Sequence, residues 1–239
     1  MNGRLVEQSS LTRQERESMF ALLETHFEGV LREQFDRDLA EKNWTVFIED
    51  NEKLLGFSTL LVYSANVMDE PLTVVCSGDT IVSPAAWGSM AFPRTWIESV
   101  YQIRDIQSHG RLIWLLLTSG YRTYRFLPVF WQEFYPQIDV QTPEKWQRML
   151  KALATERFGS QYCPDRGIVR FPRPQRLRPE LACVPEARRS DPHVQFFLDC
   201  NPGHKQGDEL VCVADLDPTN LTPAGKRVVY GASECRAAR

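Results

Sequence analysis

Residues 72–88, LTVVCSGDTIVSPAAWG, form the segment of the sequence that is most informative about the fold. Residues 72–82 are mostly apolar and β-branched and predict a strand, and the Pro and Gly that follow predict a loop. Apolar residues then recur at helical spacing from Trp96 to Ile103. Residues 112–117, LIWLLL, are apolar on both faces, which is typical of a central strand covered on both sides. This part of the chain therefore predicts a strand, a crossover helix and a second strand.

A hairpin and helical segments precede this unit. Apolar residues alternate from Trp44 to Ile48 and return in a run from Leu54 to Tyr63, with the polar turn Glu-Asp-Asn-Glu between the two runs. Such a pattern predicts a β-hairpin. Further upstream, Thr12 and Glu15 have the spacing of a helix capping box. The helical spacing that starts there continues to about Lys42, which we interpret as two helices or one bent helix.

The chain after the second strand predicts two more helical segments and then short strands. Residues 121–134 are aromatic with mostly helical spacing, which Pro128 must kink or restart. Thr142 is typical of an N-cap, Pro143 of a first helical position, and Gly159 of a helix end. Beyond it, strand-like pieces alternate with proline-rich turns: Gly167–Phe171, Val194–Leu198 and Leu210–Ala214.

The composition changes near residue 160. All six Trp lie between Trp44 and Trp146, whereas five of the six Cys and nine of the fifteen Pro come later. We therefore predict an α+β domain over residues 1–159, with a mixed, mostly antiparallel sheet flanked by helices. Residues 160–239 are predicted to be a Cys- and Pro-rich extension packed on that domain.

Charge and hydropathy exclude several classes of protein. The 239 residues carry a formal net charge of −3, which is unsuited to a protein that binds nucleic acid through phosphate contacts. The longest apolar run, residues 112–117, is far shorter than the ~18 residues that a membrane span needs. The first residues, MNGRLVEQ, contain no apolar core of a secretory signal. We therefore expect a cytoplasmic protein with no nucleic-acid partner and no membrane span.

Residues 81–88, IVSPAAWG, resemble the acyl-CoA loop of the GNAT N-acetyltransferase superfamily. In that family a strand ending in Val-x-Pro leads into an Arg/Gln-x-x-Gly-x-Gly/Ala loop, and backbone N–H groups at a helix N-terminus receive the CoA pyrophosphate. The resemblance covers roughly residues 15–140 and implies a GNAT-like fold with acetyl-CoA or a longer acyl-CoA as co-substrate. It implies cofactor contacts from the following loop residues: Val82, Ser83, Trp87, Gly88, Ser89 and Met90.

The same resemblance implies two catalytic residues. Asp79 lies three residues before Val82, where a strand carboxylate can take the proton of an attacking amine, directly or through water. Tyr124 follows Thr118 by six residues, the position of the family's general acid, which returns a proton to the departing thiolate. Structural roles are the alternatives: Tyr124 as a core aromatic residue, and Asp79 bonded to nearby backbone.

The loop departs from the family pattern at three positions. With Pro84 and Gly88 aligned, Trp87 replaces the usual Arg, and Met90 and Phe92 replace two glycines. Because backbone approaches a phosphate most closely where there is no Cβ, we expect CoA to be held differently or less tightly. Two hypotheses follow. One is an N-acyltransferase that moves an acyl group from CoA, or from an acyl carrier protein, to a small-molecule amine; the other is a non-catalytic GNAT-like module that binds a ligand or partner.

The Cys and His residues of the C-terminal part offer a third hypothesis. Cys200, His204 and Cys212, with Cys163 and Cys183 upstream, are enough for a tetrahedral zinc site. However, the sequence has no Cys-x-x-Cys pair, and disulfides conflict with a cytoplasmic protein. We therefore predict no metal site and expect Cys200 and Cys212 to act as small buried side chains.

Overall fold

The computed structural model describes residues 1–107 and 110–237, with side chains as far as Gly231. Its strands and helices are, in chain order, β1 (Asn2–Glu7), α1 (Arg13–His26), β2 (Phe27–Glu28), α2 (Arg32–Ala40), β3 (Trp44–Asp50), β4 (Lys53–Val67), β5 (Glu70–Val82), α3 (Ala91–Gln107), β6 (Arg111–Thr118), α4 (Tyr121–Tyr124), α5 (Phe126–Phe130), β7 (Phe134–Tyr135), α6 (Glu144–Phe158), β8 (Tyr162–Cys163), β9 (Ile168–Val169), β10 (Arg176–Leu177), α7 (Pro179–Ala182), α8 (Pro192–Cys200), β11 (Glu209–Asp215) and α9 (Pro223–Ala237).

Most strands join one mixed sheet. Within the described residues its order is β1-β3-β4-β5-β6-β11-β9-β8, with β7 paired to β11, while β2 and β10 form a separate pair. The β5–β6 pair is parallel, and the other pairs are antiparallel. The predicted mixed, mostly antiparallel sheet flanked by helices is confirmed. So are the β3–β4 hairpin and the β5–α3–β6 crossover.

Helices cover both faces of this sheet. Leu112, Trp114 and Leu116 of β6 pack with residues of α3, α4, α5, α8 and α9, and we call this side the α3 face. Ile113 and Leu115 pack on α6, and residues of β3 and β4 on the same side pack on α1 and α2; we call this side the α6 face. Because side chains alternate along a strand, the burial of both faces explains why β6 is apolar throughout.

The two parallel strands separate at their carboxyl ends. Their pairing runs from Leu72 opposite Arg111 to Ser77 opposite Leu116 and stops there, although β5 continues to Val82 beside β4. A gap between β5 and β6 therefore opens beyond Ser77. The candidate active site lies at this gap.

A β-bulge bends β5 at the start of the gap. The register between β4 and β5 shifts around Thr59, where two residues of β5, Gly78 and Asp79, lie opposite one residue of β4. An extra residue of this kind bends the strand and increases its twist. A Cβ on Gly78 would lie 2.8 Å from Thr59 Oγ1 and 3.1 Å from Lys42 Cε. Glycine at this position therefore lets the Lys42 side chain cross the bulge.

The helix predictions are confirmed in outline. α1 and α2 are two separate helices, and Thr12 and Glu15 form the reciprocal capping box expected from their spacing. Gly159 ends α6 with a φ of 53°. The start of α6 was predicted one residue too early, because Pro143 occupies the N-cap position instead of the first helical one.

One predicted strand is wrong. Residues 194–198 belong to helix α8, whose first residue is Pro192 and whose N-cap is Asp191. The Asp191 carboxylate accepts the backbone N–H groups of His193 and Val194, and Pro192 supplies a φ suited to a first turn. These capping signals outweigh a short apolar run, which by itself does not distinguish a strand from a buried helix. Edge strand β1 and helix α9 are further elements that the sequence analysis did not predict.

The sheet continues past residue 159. Strand β11, from the predicted extension, lies antiparallel beside β6, with pairs from Leu210–Thr118 to Asp215–Ile113. Helices α8 and α9 complete the core of the α3 face. The change of composition near residue 160 thus falls inside one continuous sheet. In the described ranges, no helix combines the length and apolar character that a membrane crossing needs.

Candidate active site

A cavity of about 490 Å³ opens on the α3 face of the gap. Its walls are the end of β5, the loop after it, the start of α3, helix α4, His26 and Phe27 at the junction of α1 and β2, and parts of the C-terminal segment between residues 177 and 188. This volume falls within the range of about 300–1,000 Å³ that is typical of sites for small molecules and cofactors.

Aromatic rings line the inner part of the cavity. Trp96 and Trp114 pack with ring centroids 4.3 Å apart, and Phe126 meets them edge-on at 5.8 and 6.0 Å. The indole Nε1 of Trp114 donates a hydrogen bond of 2.9 Å to the Oγ of Ser77, the last residue of β5 that pairs with β6. The lining is therefore a fixed apolar surface at the point where the two strands part.

Arginine side chains surround the outer part of the cavity. The Arg122 guanidinium lies 4.0 Å from the ring centroid of Trp87 and donates a 2.8 Å hydrogen bond to the Leu181 carbonyl. Arg125 is paired with Asp191 at 2.9 Å, and Arg188 is exposed. Arginine forks suit carboxylates and phosphates, so this rim favours an anionic ligand.

The loop after β5 is held by its own side chains. Trp87 Nε1 donates a 2.7 Å hydrogen bond to the carbonyl of Val82, and the Ser83 N–H donates to Leu55 at 2.7 Å. Ser89 Oγ accepts the N–H of Ala91 at 3.0 Å. Trp87 therefore covers the end of β5 and keeps the Val82 carbonyl occupied.

Few backbone N–H groups of this loop are left for a ligand. Those of Ala86, Trp87 and Ser89 bond within the turn, and Pro93 removes one donor from the first turn of α3. In the part of the chain that the structure describes, the N–H groups of four loop and first-turn residues have no protein partner: Ala85, Gly88, Met90 and Phe92.

The structure brings half of the predicted cofactor-contacting residues to the cavity. Val82, Trp87 and Ser89 line it. The other three lie in the same loop but do not contribute to its walls: Ser83, Gly88 and Met90. The side chain of Met90 is 48% exposed. The cofactor roles of all six residues stay predictions.

Tyr124 does not reach the cavity. It is fully buried against Phe134 and Phe197, and its hydroxyl donates a 3.0 Å hydrogen bond to the Pro136 carbonyl. Burial raises the pKa of Tyr124 far above its ordinary value. Tyr121, one helical turn earlier, lines the cavity instead.

Asp79 lies on the opposite side of the gap from the cavity. Thr80, Ile81 and Val82 all line the cavity, whereas Asp79 does not; it lies near Asp38 of α2 and Lys42, whose charges act on it. It is half-buried. Burial raises the pKa of Asp79; the positive charge of Lys42 opposes this rise and the negative charge of Asp38 adds to it.

Glu209 is a second carboxylate near the gap, which the sequence analysis did not identify. Val211 and Val213 of β11 pack on the α6 face, and the strand alternation places Glu209 on that face as well. Burial raises the pKa of Glu209 to about 8; the negative charge of Asp79 adds to the rise, and Lys42 opposes it. A glutamate after Gly207 and Asp208 has the sequence pattern of an exposed turn, so only the sheet order reveals its position.

The cysteine and histidine residues of the C-terminal part differ in burial. Cys212 is buried as predicted, Cys200 is half-buried, and burial raises the pKa of both thiols. His204 is buried, with its Nδ1 3.0 Å from the Asn201 carbonyl oxygen. Among the described residues, no three His, Cys, Asp or Glu side chains are grouped so as to hold a metal ion.

Comparisons with known proteins find similarity in structure. No family model and no curated protein matches the chain. A probable N-acyltransferase of unknown function from Enterococcus faecalis V583 is 17% identical, with 56% of this chain and 33% of that chain covered and a TM-score of 0.43. A GCN5-related N-acetyltransferase from Kribbella flavida is 11% identical, with 52% and 32% covered and a TM-score of 0.41. An Escherichia coli GNAT family N-acetyltransferase in complex with CoA is 15% identical, with 53% and 68% covered and a TM-score of 0.40.

The similarity is partial. The aligned region spans about a third of the length of the first two structures and about half of this chain. Because the TM-scores are below 0.5 and the identities below 20%, the function has to be inferred from this chain's own residues.

Proposed function

We propose that the protein transfers an acyl group from a CoA thioester to the nitrogen of a small-molecule amine. The observation that carries this proposal is the two-sided gap between β5 and β6. On the α3 face it meets an aromatic cavity rimmed by arginines, and on the α6 face it meets Asp79. A thioester in the gap would be open to a donor arm from one side and to an acceptor from the other.

The cavity has the chemistry that a CoA thioester requires. Its apolar lining suits the pantetheine arm and an acyl chain, and Arg122 and Arg188 suit the phosphates. The free N–H groups of Gly88 and Phe92 add donors at the start of α3. The side chains of Met90 and Phe92 and the bonded N–H groups of Ala86, Trp87 and Ser89 reduce what the loop offers to the pyrophosphate. The loop therefore favours binding of the CoA phosphates by arginine side chains. An acyl carrier protein, which presents the phosphopantetheine arm without the nucleotide, is a second possible acyl donor.

Asp79 is suited to be the general base. The amine nitrogen attacks the thioester carbonyl carbon, a C–N bond forms, and the C–S bond breaks. The proton of the nitrogen passes to the Asp79 carboxylate, directly or through water. A carboxylate whose pKa is raised by burial accepts a proton more readily near neutral pH.

Tyr121 is placed to return a proton to the leaving sulfur. Its side chain lines the cavity below the Arg122 guanidinium, whose carbon lies 4.6 Å from the centroid of its ring. Burial raises the pKa of Tyr121, and three arginines oppose the rise. A neutral phenol that can give up its proton beside positive charge suits a thiolate leaving group.

A non-catalytic binding module is the second candidate function. Side chains at Met90 and Phe92, where the family has glycine, and the burial of Tyr124 favour it. Thiol release measured with acetyl-CoA, a long-chain acyl-CoA and an acyl carrier protein thioester distinguishes the two candidates. The enzyme releases thiol only when an amine is present, whereas a binding module is stabilised by the ligand, with a higher Tm, and releases none.

Arg122 is expected to contribute to binding of the donor. Arg122→Ala removes both the guanidinium and its stack on Trp87, and should raise the KM for acyl-CoA by about 10-fold while kcat changes little. Arg122→Lys should rescue only part of this loss, because an ammonium is not a planar fork. The steady-state rate of thiol release measures both constants. Arg13→Ala, an exposed arginine of α1, is the matched control, and an equal KM effect there would refute the assignment.

Substitutions of the two tyrosines of α4 are expected to have different effects: Tyr121→Phe on the rate and Tyr124→Phe on stability. Tyr121→Phe should lower kcat for thiol release by about 10-fold or more, because it removes the proton donor at the cavity. Tyr124→Phe removes the hydrogen bond to Pro136 and should cost about 1 kcal/mol of the free energy of unfolding, a fall in Tm of about 2–4 °C. Steady-state kinetics and thermal unfolding of both variants test this. The opposite ranking of rates would establish Tyr124 as the general acid.

A further inference from the structure

Two carboxylates flank the end of β6 on the α6 face. Leu210 of β11 is paired with Thr118, so Glu209 lies beside the end of β6. On the other side of β6, the last pair between β5 and β6 is Ser77–Leu116, and Asp79 follows Ser77 by two residues in β5. Strand alternation and the bulge place both side chains on the α6 face, which is the acceptor side in the proposed function.

Neither carboxylate has a partner within the described ranges. Asp79 and Glu209 are both half-buried, yet neither takes part in a hydrogen bond or an ion pair there. Most other partly buried carboxylates near the sheet are paired, as Asp215 is with Arg111 and Asp208 with Arg170. Desolvated acids without a partner are costly to keep ionised unless a ligand supplies the positive charge.

A buried hydroxyl points to a ligand at the same place. Thr59 is 1% exposed, and its Oγ1 has no hydrogen-bond partner in the described part of the chain. This oxygen lies against Gly78, the residue that precedes Asp79 in the bulge. A buried polar atom of this kind normally has a partner, so an N–H donor beside Asp79 would satisfy it.

The charge around this crevice is negative. Asp38, Asp79 and Glu209 contribute three carboxylates, and Lys42, whose Nζ would lie 3.2 Å from a Cβ on Gly78, contributes one ammonium. The nearby guanidinium of Arg157 is paired with Glu41 at 2.6 Å. With all three acids ionised, these four groups leave two negative charges to be neutralised.

Building on the proposed acyl transfer, we propose that the acceptor is a dication, a diamine or polyamine, with its reacting nitrogen at Asp79 and its second ammonium at Glu209. Two strand spacings separate the backbones of β5 and β11, at least about 10 Å. Side chains that lean over β6 shorten this distance, so a spacer of about four to six carbons fits. An ammonium at Glu209 holds that carboxylate ionised. The reacting ammonium releases one proton to solvent and attacks as a neutral amine, and Asp79 takes the second proton as the C–N bond forms and the C–S bond breaks.

Matched amines test the second charge. With acetyl-CoA as donor, 1,5-diaminopentane should give a kcat/KM for thiol release about 10- to 100-fold above that of hexylamine, mainly through KM. 6-Aminohexanoate, which has a carboxylate at the far end, should be poorer than both. Glu209→Gln should reduce the preference for the diamine over hexylamine at least 10-fold. Glu144→Gln, an exposed carboxylate on α6, should keep it.

Calorimetry gives a readout that does not depend on turnover. Binding of 1,5-diaminopentane at pH 7 should release protons, seen as an enthalpy that varies with the ionisation enthalpy of the buffer, because the ammonium lowers the raised pKa of Glu209. Glu209→Gln should weaken binding at least 10-fold and remove most of this proton release. Circular dichroism checks that the variant is folded.

The outcomes separate this inference from the proposed function. Equal kcat/KM values for diamine and hexylamine, or a preference that survives Glu209→Gln, would overturn the dication site and leave acyl transfer standing. Diamine binding that depends on Glu209, without thiol release from any donor, would overturn acyl transfer and leave the dication site standing.

Discussion

Asp79→Asn is expected to lower kcat for thiol release by about 10²- to 10⁴-fold, the usual contribution of a general base. Asparagine keeps the size of the side chain and its place in the bulge but cannot take a proton from the attacking amine. KM for acyl-CoA should change little, because Asp79 lies on the α6 face and the donor cavity on the α3 face. Steady-state kinetics with saturating amine measures both constants.

The dependence of kcat on pH gives a second test of Asp79 as the general base. Only the ionised carboxylate accepts a proton, so kcat should rise with pH through the raised pKa of Asp79, and Asp79→Asn should lose this rise. Asp36→Asn, an exposed carboxylate of α2, is the matched control and should keep both the rate and the profile. An Asp79→Asn variant that folds and turns over at the wild-type rate would exclude Asp79 as the base.

A chain that ends at Gly159 is expected not to fold. Residues 210–214 of β11 are at most 1% exposed and lie between β6 and β9, so their removal leaves β6 as an open, apolar edge. The α3 face also loses Val194 and Phe197 of α8, both fully buried in its core. The lost apolar burial far exceeds the margin of about 5–15 kcal/mol by which domains are stable.

Thermal unfolding followed by circular dichroism tests this prediction. The 1–159 chain should show no cooperative transition and should bind a dye that reports exposed apolar surface. A chain that ends at Gly231 retains every strand and should unfold cooperatively. A cooperative transition in the 1–159 chain would show that these residues are a domain without the C-terminal part.

Much of the fold could be predicted from periodicity. The hairpin alternates cleanly between apolar and polar residues, and β6 is apolar on both faces because helices cover both sides of it. The segment from Val194 to Leu198 could not be assigned in this way, because five apolar-rich residues suit a strand and a buried helix equally. Its capping residues, Asp191 and Pro192, were the better guide.

The site was harder to predict than the fold. Asp79 was identified through the resemblance, by its place three residues before Val82, and it lies at a bulge beside the gap. Tyr124 and Tyr121 could not be told apart by spacing, since only packing shows which hydroxyl is bonded to Pro136. Glu209 could not be placed, because its proximity to the gap comes from a strand that follows β6 by about ninety residues in the chain and lies next to it in the sheet.

Mass spectrometry of the amine after reaction detects acyl transfer across the gap between β5 and β6. The purified protein is incubated with acetyl-CoA and 1,5-diaminopentane, with Asp79→Asn in parallel. We predict an N-acetylated amine in amounts equal to the released CoA thiol, formed at least 10²-fold more slowly by Asp79→Asn. If neither millimolar CoA thioesters nor an acyl carrier protein thioester yields any acylated amine, the protein is not an N-acyltransferase.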